Sequence, residues 1–226
     1  MDQEQNQRIL VLGITGASGA GYAVRLLDVL LAAGRDVYLS ISPAGRAVIK
    51  EELGATVDLD DFDAASLSST GLGFGEWRAP ADAGIERPPG RIHYCHYRDL
   101  MAPIASGSFL TAGMVVCPCS GSTLGAISHA MGTNLIHRAA EVHLKERRKL
   151  VLVPRETPLS LVQLDNMRRA AEAGAIVLPA SPGFYHAPAT IADLIDFVVG
   201  RICDQLGVEQ NLIQRWGEGA EKKNVQ

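Results

Sequence analysis

Cysteine is scarce and scattered: Cys95, Cys117, Cys119 and Cys203 are the only four in 226 residues. They are too few, and too apolar in context, for a disulfide framework. Long apolar runs are missing as well. None approaches membrane-spanning length, and no basic segment precedes an apolar stretch of signal-peptide type, so the expected location is the cytoplasm. Positive charge is not in excess. With a formal net charge of −4, the chain gives no electrostatic case for a nucleic-acid partner. The nearest thing to a metal-binding set is His93 and His96 in HYCHY with Cys117 and Cys119 in CPCS. Cys-x-Cys is not the usual zinc spacing, and Cys117 ends the apolar run Met114 to Val116 as a buried strand end would. No metal is assigned.

Hydrophobic residues make up 47% and charged residues 20%, the balance of an ordinary globular α/β protein. The length favours a single domain over residues 1–226, with a core at 8–207, an irregular excursion at 58–90 and a C-terminal tail at 208–226. From Glu209 onward that tail is polar, and Trp216 is its only large anchor.

The chain is organised around Arg8 to Arg25. Ile9 to Leu12 form a continuous apolar run, as expected of a parallel strand covered on both faces. Gly13, Gly16, Gly19 and Gly21 follow, and from Tyr22 the apolar residues recur at helical spacing, with Ser18 expected as the cap. A strand, a small-residue turn and a helix start make an anion site. The spacing G-x-x-G-x-x-G-x-G is neither the dinucleotide fingerprint nor a Walker loop, which needs a Gly-Lys-Ser/Thr ending. After the second strand the residue at the carboxyl end is Ser42, not the Asp or Glu that would hold an adenosine ribose. This favours a phosphate or mononucleotide over NAD.

Further apolar runs at Val37–Ile41, Met114–Cys117, Leu150–Val153 and Ala175–Leu178 read as strands, and Arg91–His96 is a short strand candidate. Pro43–Leu53, Leu124–Met131, Asn134–Glu146, Leu159–Ala173 and Ile191–Leu206 read as helices. The alternation predicts an α/β fold, a doubly wound and mostly parallel sheet in a Rossmann/flavodoxin-like three-layer sandwich. Ligands gather at the carboxyl ends of such strands. There lie Gly16 to Ser18, Ser42, Cys119 to Thr123, Arg155 with Glu156, and Tyr185. Ser120, Ser122 and Thr123 offer hydroxyls and a second helix start. Arg155 suits a phosphate and Glu156 a proton transfer; the competing reading of these two is a salt bridge at the sheet edge. Arg138 and Lys145, with Arg147 and Arg148, complement a helix dipole. A serine hydrolase fits poorly, because Gly16-Ala17-Ser18-Gly19 is not a G-x-S-x-G elbow and nothing pairs His186 with a nucleophile.

Five motifs in order, TGASG at Thr15–Gly19, CPCS at Cys117–Ser120, NLIHRAAEVHLKERR at Asn134–Arg148, LVPRETP at Leu152–Pro158 and PGFYHAP at Pro182–Pro188, resemble UbiX-type flavin prenyltransferases. The resemblance runs from about Arg8 to Trp216. It implies transfer of a dimethylallyl group to reduced FMN from dimethylallyl monophosphate, or from the diphosphate in some members. The product would serve a UbiD-type decarboxylase. It implies FMN contacts from Gly16, Ala17, Ser18, Ser42, Ser120, Gly121, Ser122, Thr123 and Arg155. The prenyl phosphate would meet Arg138, Lys145, Glu156, Tyr185 and Arg201, with Trp216 as an aromatic at the site. Glu156, Lys145, Glu52 and Ser18 form the implied catalytic set, and the assembly is expected to be a homododecamer with sites shared between subunits. The Asp-rich motif of metal-dependent prenyltransferases is missing, so the reaction is expected to need no metal. Two alternatives remain. One is a flavin-dependent cysteine decarboxylase of the same fold, whose PxMNxxMW motif has no counterpart in Val162–Ala170; the other is a non-catalytic FMN carrier.

Overall fold

A computed structural model describes residues 8–67 and 88–213. Six parallel strands form one sheet in the order β3-β2-β1-β4-β5-β6: β1 is Ile9–Ile14, β2 Asp36–Ile41, β3 Ile92–Tyr94, β4 Gly113–Cys119, β5 Leu150–Pro154 and β6 Ile176–Val177. The helices are α1 (Ala20–Ala32), α2 (Pro43–Leu53), α3 (Gly121–Ser128), α4 (Leu135–Lys145), α5 (Leu161–Glu172) and α6 (Ile191–Leu206). The expected doubly wound sheet is therefore present, and its strand order reverses between β1 and β4. That reversal is the switch point at which such folds place their ligands.

Every residue of β1, β4 and β5 is buried, so periodicity alone could not have told these strands from buried helix. Alternation sorts the side chains into two cores. Leu10, Leu12 and Ile14 join α1 and α6 on one face, whereas Val11, Met114, Val116 and Leu152 join α3 and α4 on the other. Gly13 faces α4 so closely that a Cβ there would lie 2.8 Å from Ile136 Cγ2. On that second face α3 and α5 also meet over glycine. A Cβ at Gly121 or Gly125, one turn apart, would sit 2.9 Å from Gln163 or 3.3 Å from Asn166.

Some expectations shift. The α3 helix starts at Gly121 rather than Leu124, because the Ser120 side chain caps it by accepting from Thr123 N. The α5 helix begins at Leu161, where Ser160 and Gln163 form a capping box. The first part of the 58–90 excursion is built into the protein, with Leu59 and Leu67 buried and a 3₁₀ turn at Ala64–Leu67. Val208 and Leu212 are buried as well. The start of the tail is thus anchored by aliphatic side chains, whereas Trp216 lies outside the described residues.

Candidate active site

Four segments converge at the carboxyl edge of the switch point. Thr15 ties the first two together: its Oγ1 donates to Pro118 O at 2.7 Å and accepts from Ser120 N at 2.8 Å. Buried on both sides, this hydroxyl fixes the loop after β1 against the loop after β4. Gly16 then passes over the start of α2, where an added Cβ would lie 2.5 Å from Ala44 Cβ. Gly45 is equally constrained, since a Cβ there would be 2.7 Å from Ile14 O. Small residues on both sides therefore bring Gly16, Ala17 and Ser18 beside Ser42, whose Oγ caps α2 by accepting from Gly45 N at 3.0 Å. From the end of β5, Arg155 Nε donates to Ser18 O at 3.2 Å.

The start of α1 differs from the sequence expectation. Ser18 does not cap it. The N-cap is Gly19, at φ 115°, with no side-chain cap of its own. The Glu52 carboxylate, from the last turn of α2, accepts from Gly19 N at 2.9 and 3.1 Å and from Ala20 N at 2.8 Å. An ionised carboxylate on helix N–H groups makes charge-assisted bonds that a neighbouring serine hydroxyl cannot match. Two of the amides expected to serve an external anion are thus already served by the protein's own. The start of α3 carries the richer hydroxyl set: Ser120 Oγ lies 3.1 Å from Ser122 Oγ and donates to Thr123 Oγ1 at 3.0 Å.

Glu156 is exposed at the end of β5, with Thr157 N donating to Oε1 at 3.1 Å and Gln163 Nε2 donating to Oε2 at 3.4 Å. Arg155 turns instead to the Ser18 carbonyl. The two neighbours do not form the sheet-edge salt bridge that was the competing reading. Tyr22, which sequence reasoning passed over, lies under Gly19. Burial raises its phenol pKa, with the charges of Arg155 and Glu52 close enough to be felt.

The residues implied for the prenyl phosphate are divided. Tyr185 is exposed and meets Phe197 edge-on at 5.6 Å. Arg201 lines a cavity of about 320 Å³ with Val177, Pro179, Phe197 and Gln205, and its NH1 donates to Asp204 at 2.9 Å. Arg138 Nε donates to Ala105 O at 3.1 Å, and Lys145 pairs with Glu146 against Gly107. The α4 helix leads directly into the amino end of β5, where Lys149 O accepts from Met114 N. Lys145 therefore sits at the edge of the sheet opposite Glu156. His186 stacks on Phe197 and its ring nitrogens have no partner, so no serine nucleophile is paired with it. His93 stacks on Tyr38, and burial pushes the Cys117 and Cys119 thiols up, the second to about 12. Among the described residues no three His, Cys, Asp or Glu side chains gather to hold a metal. Also among them, no helix is long and apolar enough to cross a membrane.

A doubly wound parallel sheet with hydroxyl-rich loops, an arginine and a glycine-lined cradle at its switch point defines an α/β flavoprotein. The family model described as Flavoprotein matches residues 1–203. The flavin prenyltransferase UbiX of Alkalihalophilus pseudofirmus is 46% identical over 215 residues, covering 95% of this chain and 99% of the relative, and that of Pseudomonas aeruginosa is 43% identical over 209 residues, covering 92% and 94%. Among solved structures, AnUbiX in complex with FMN and dimethylallyl pyrophosphate superposes with a TM-score of 0.75 at 36% identity, covering 92% of this chain and 97% of that one. A dodecameric FMN-dependent UbiX-like decarboxylase from Escherichia coli O157:H7 gives 0.74 at 36% identity, covering 92% and 98%. This chain belongs to the UbiX flavin prenyltransferase family.

Proposed function

We propose that the protein transfers a dimethylallyl group from dimethylallyl monophosphate to reduced FMN, and that the prenylated flavin is released for a UbiD-type decarboxylase. The observation that carries this reading is the convergence of the loops after β1, β2, β4 and β5 on one cradle, in a chain whose close relatives are flavin prenyltransferases. The donor set fits FMN. Gly16, Ala17 and Ser18 supply a closely packed backbone turn, and Ser42 and the Ser120–Thr123 hydroxyls offer neutral hydrogen bonds. Arg155 provides a cation for an anionic group. When bound, reduced FMN supplies the nucleophilic ring atoms and a π face beside the allyl group.

The remaining chemistry belongs to the side chains. As the allylic C–O bond breaks, negative charge accumulates on the departing phosphate. Lys145, Arg138 and Arg201 stabilise that charge, Tyr185 orients the group, and Glu156 delivers a proton to it. No divalent cation is then required. Ser18 and Glu52 act beside the flavin. Arg138 and Lys145 reach this site from a neighbouring copy of the chain. The position of Lys145 beside the amino end of β5, at the sheet edge opposite Glu156, and the dodecameric state of the E. coli relative both support a homododecamer with shared sites. The working location is the cytoplasm.

The experiment is anaerobic incubation with reduced FMN and dimethylallyl monophosphate in the presence of a chelator, followed by mass analysis of the flavin. A flavin heavier by one dimethylallyl unit is expected. Unmodified flavin with the monophosphate, but conversion with the diphosphate, would overturn the donor assignment, and unmodified flavin with both would overturn the activity.

A further inference from the structure

Gln163 touches both halves of the cradle. Its Nε2 donates to Glu156 Oε2 at 3.4 Å, and a Cβ at Gly121, the first residue of α3, would lie 2.9 Å from that same nitrogen. The chain itself fixes the orientation of the amide. Ser160 N donates to Gln163 Oε1 at 2.8 Å, while Ser160 Oγ accepts from Gln163 N at 3.2 Å, which together form the capping box of α5. With its oxygen committed to a backbone N–H, the amide turns its NH₂ group toward Glu156. A flip would set carbonyl against carboxylate and NH₂ against N–H. Thr157 N donates to the other carboxylate oxygen at 3.1 Å. Each oxygen of Glu156 therefore has one donor of fixed direction, one from its own strand end and one from the start of α5.

We propose that Gln163 is a positioning residue for prenyl transfer, holding the Glu156 carboxyl over the start of α3 through an amide that the capping box orients. The proposal rests on the reading of Glu156 as the proton donor. Gln163 exchanges no proton itself. Its effect is to limit the rotation of an otherwise exposed side chain, and misplacement of a reacting group by about 1 Å can cost ~10²-fold in rate.

A double-mutant cycle tests it. Gln163→Glu keeps an acceptor for Ser160 N, and so the cap, but removes the donor to Glu156. Ser160→Ala weakens the cap and leaves that donor. Single-turnover prenylation by Gln163→Glu is expected to fall about 10–100-fold, in kcat rather than in KM, with FMN affinity unchanged. Ser160→Ala should lower Tm and keep its rate. In a Glu156→Gln background, Gln163→Glu should cause no further loss. Should Gln163→Glu fail to fold, Gln163→Met beside Ser160→Ala isolates the same contact. A wild-type rate in folded Gln163→Glu, or an equal loss in both backgrounds, would overturn the positioning role while leaving Glu156 as the acid. A wild-type rate in Glu156→Gln alone would instead remove the proton-donor reading, and the positioning role with it.

Discussion

Glu52 accepts from the Gly19 N–H through both carboxylate oxygens, at 2.9 and 3.1 Å, across 33 residues of sequence. Because Ala20 N donates to the same carboxylate at 2.8 Å, the end of α2 serves as the cap of α1. The turn Gly16–Ser18, proposed to face the flavin, is suspended between that cap and the Thr15 hydroxyl.

Removing the cap should therefore loosen the turn. Glu52→Ala is expected to cost ~0.5–2 kcal/mol of stability, the range for losing a helix cap, and to weaken FMN binding. Glu52→Gln, which keeps an acceptor but not the charge, should fall between. Thermal unfolding beside FMN titration reads both. A Glu52 acting only on the flavin would lower the rate and leave the melting temperature of the flavin-free protein where it was.

Gly16 offers a sharper test of the cradle. Gly16→Ala puts a methyl group 2.5 Å from Ala44 Cβ, and overpacking of this kind costs ~1–3 kcal/mol. FMN affinity should drop accordingly, and Ala44→Gly in the same chain should restore it by vacating the space. Loss of binding that the second substitution does not recover would place the role of Gly16 elsewhere, in its backbone freedom rather than its lack of a side chain.

Local signals and long-range contacts differed in how legible they were. The bounds of α2 and α6 agree with the sequence expectation because their ends are written locally: Ser42-Pro43 and Thr190 start them, and Gly54 and Gly207 stop them in the left-handed region. The convergence of the loops at the switch point was legible because their segments sit at strand ends beside glycine and hydroxyl clusters. By contrast, the Glu52 cap has no local signature, and Ser18 was chosen because it stood nearest the helix start. Gln163 is hidden inside an ordinary capping box. Arg25 and Asp196, 171 residues apart, form a buried bidentate pair joining α1 to α6, yet each lies in a helix whose apolar pattern is unbroken without it. Partners distant in sequence are chosen by packing, which hydrophobic period does not encode.

Acid should destabilise the protein through His143. Its ring is buried, with Nδ1 donating to Ala139 O at 2.7 Å and Nε2 in place to accept from Thr111 Oγ1 at 2.8 Å. Burial, opposed by the Ala139 bond and helped by Arg148, holds its pKa down to about 4 from 6.5. A base whose folded pKa is depressed stabilises fully above the unfolded value and loses that contribution as pH falls toward the folded one. Between pH 6.5 and 4 the slope is therefore ~1.4 kcal/mol per pH unit from this residue. Urea unfolding at pH 7 and pH 5 should show the loss, and His143→Gln should lack that share of it. Equal acid slopes in the two proteins would assign the effect to other groups, such as His137, whose pKa burial also lowers.

The division of the residues proposed for the prenyl phosphate gives the most discriminating expectation. Glu156 follows β5 at the carboxyl edge of the sheet, whereas Lys145 ends the helix that leads into the amino end of the same strand. Within one chain the two therefore lie at opposite edges of the sheet. If each site takes Glu156 from one copy and Lys145 from a neighbour, Lys145→Ala and Glu156→Gln subunits are each strongly slowed alone but complementary when assembled together. Random mixing in equal amounts puts both intact residues in about one quarter of the sites, since each comes independently from a different subunit. Prenylation by the mixture should then recover to about that fraction of the wild-type rate per site. Were both residues to act from a single chain, no mixed site would contain the intact pair, and activity would stay at the level of the separate variants. Single-turnover assays on co-refolded subunits, with mass spectrometry confirming mixed assemblies, decide between the two arrangements.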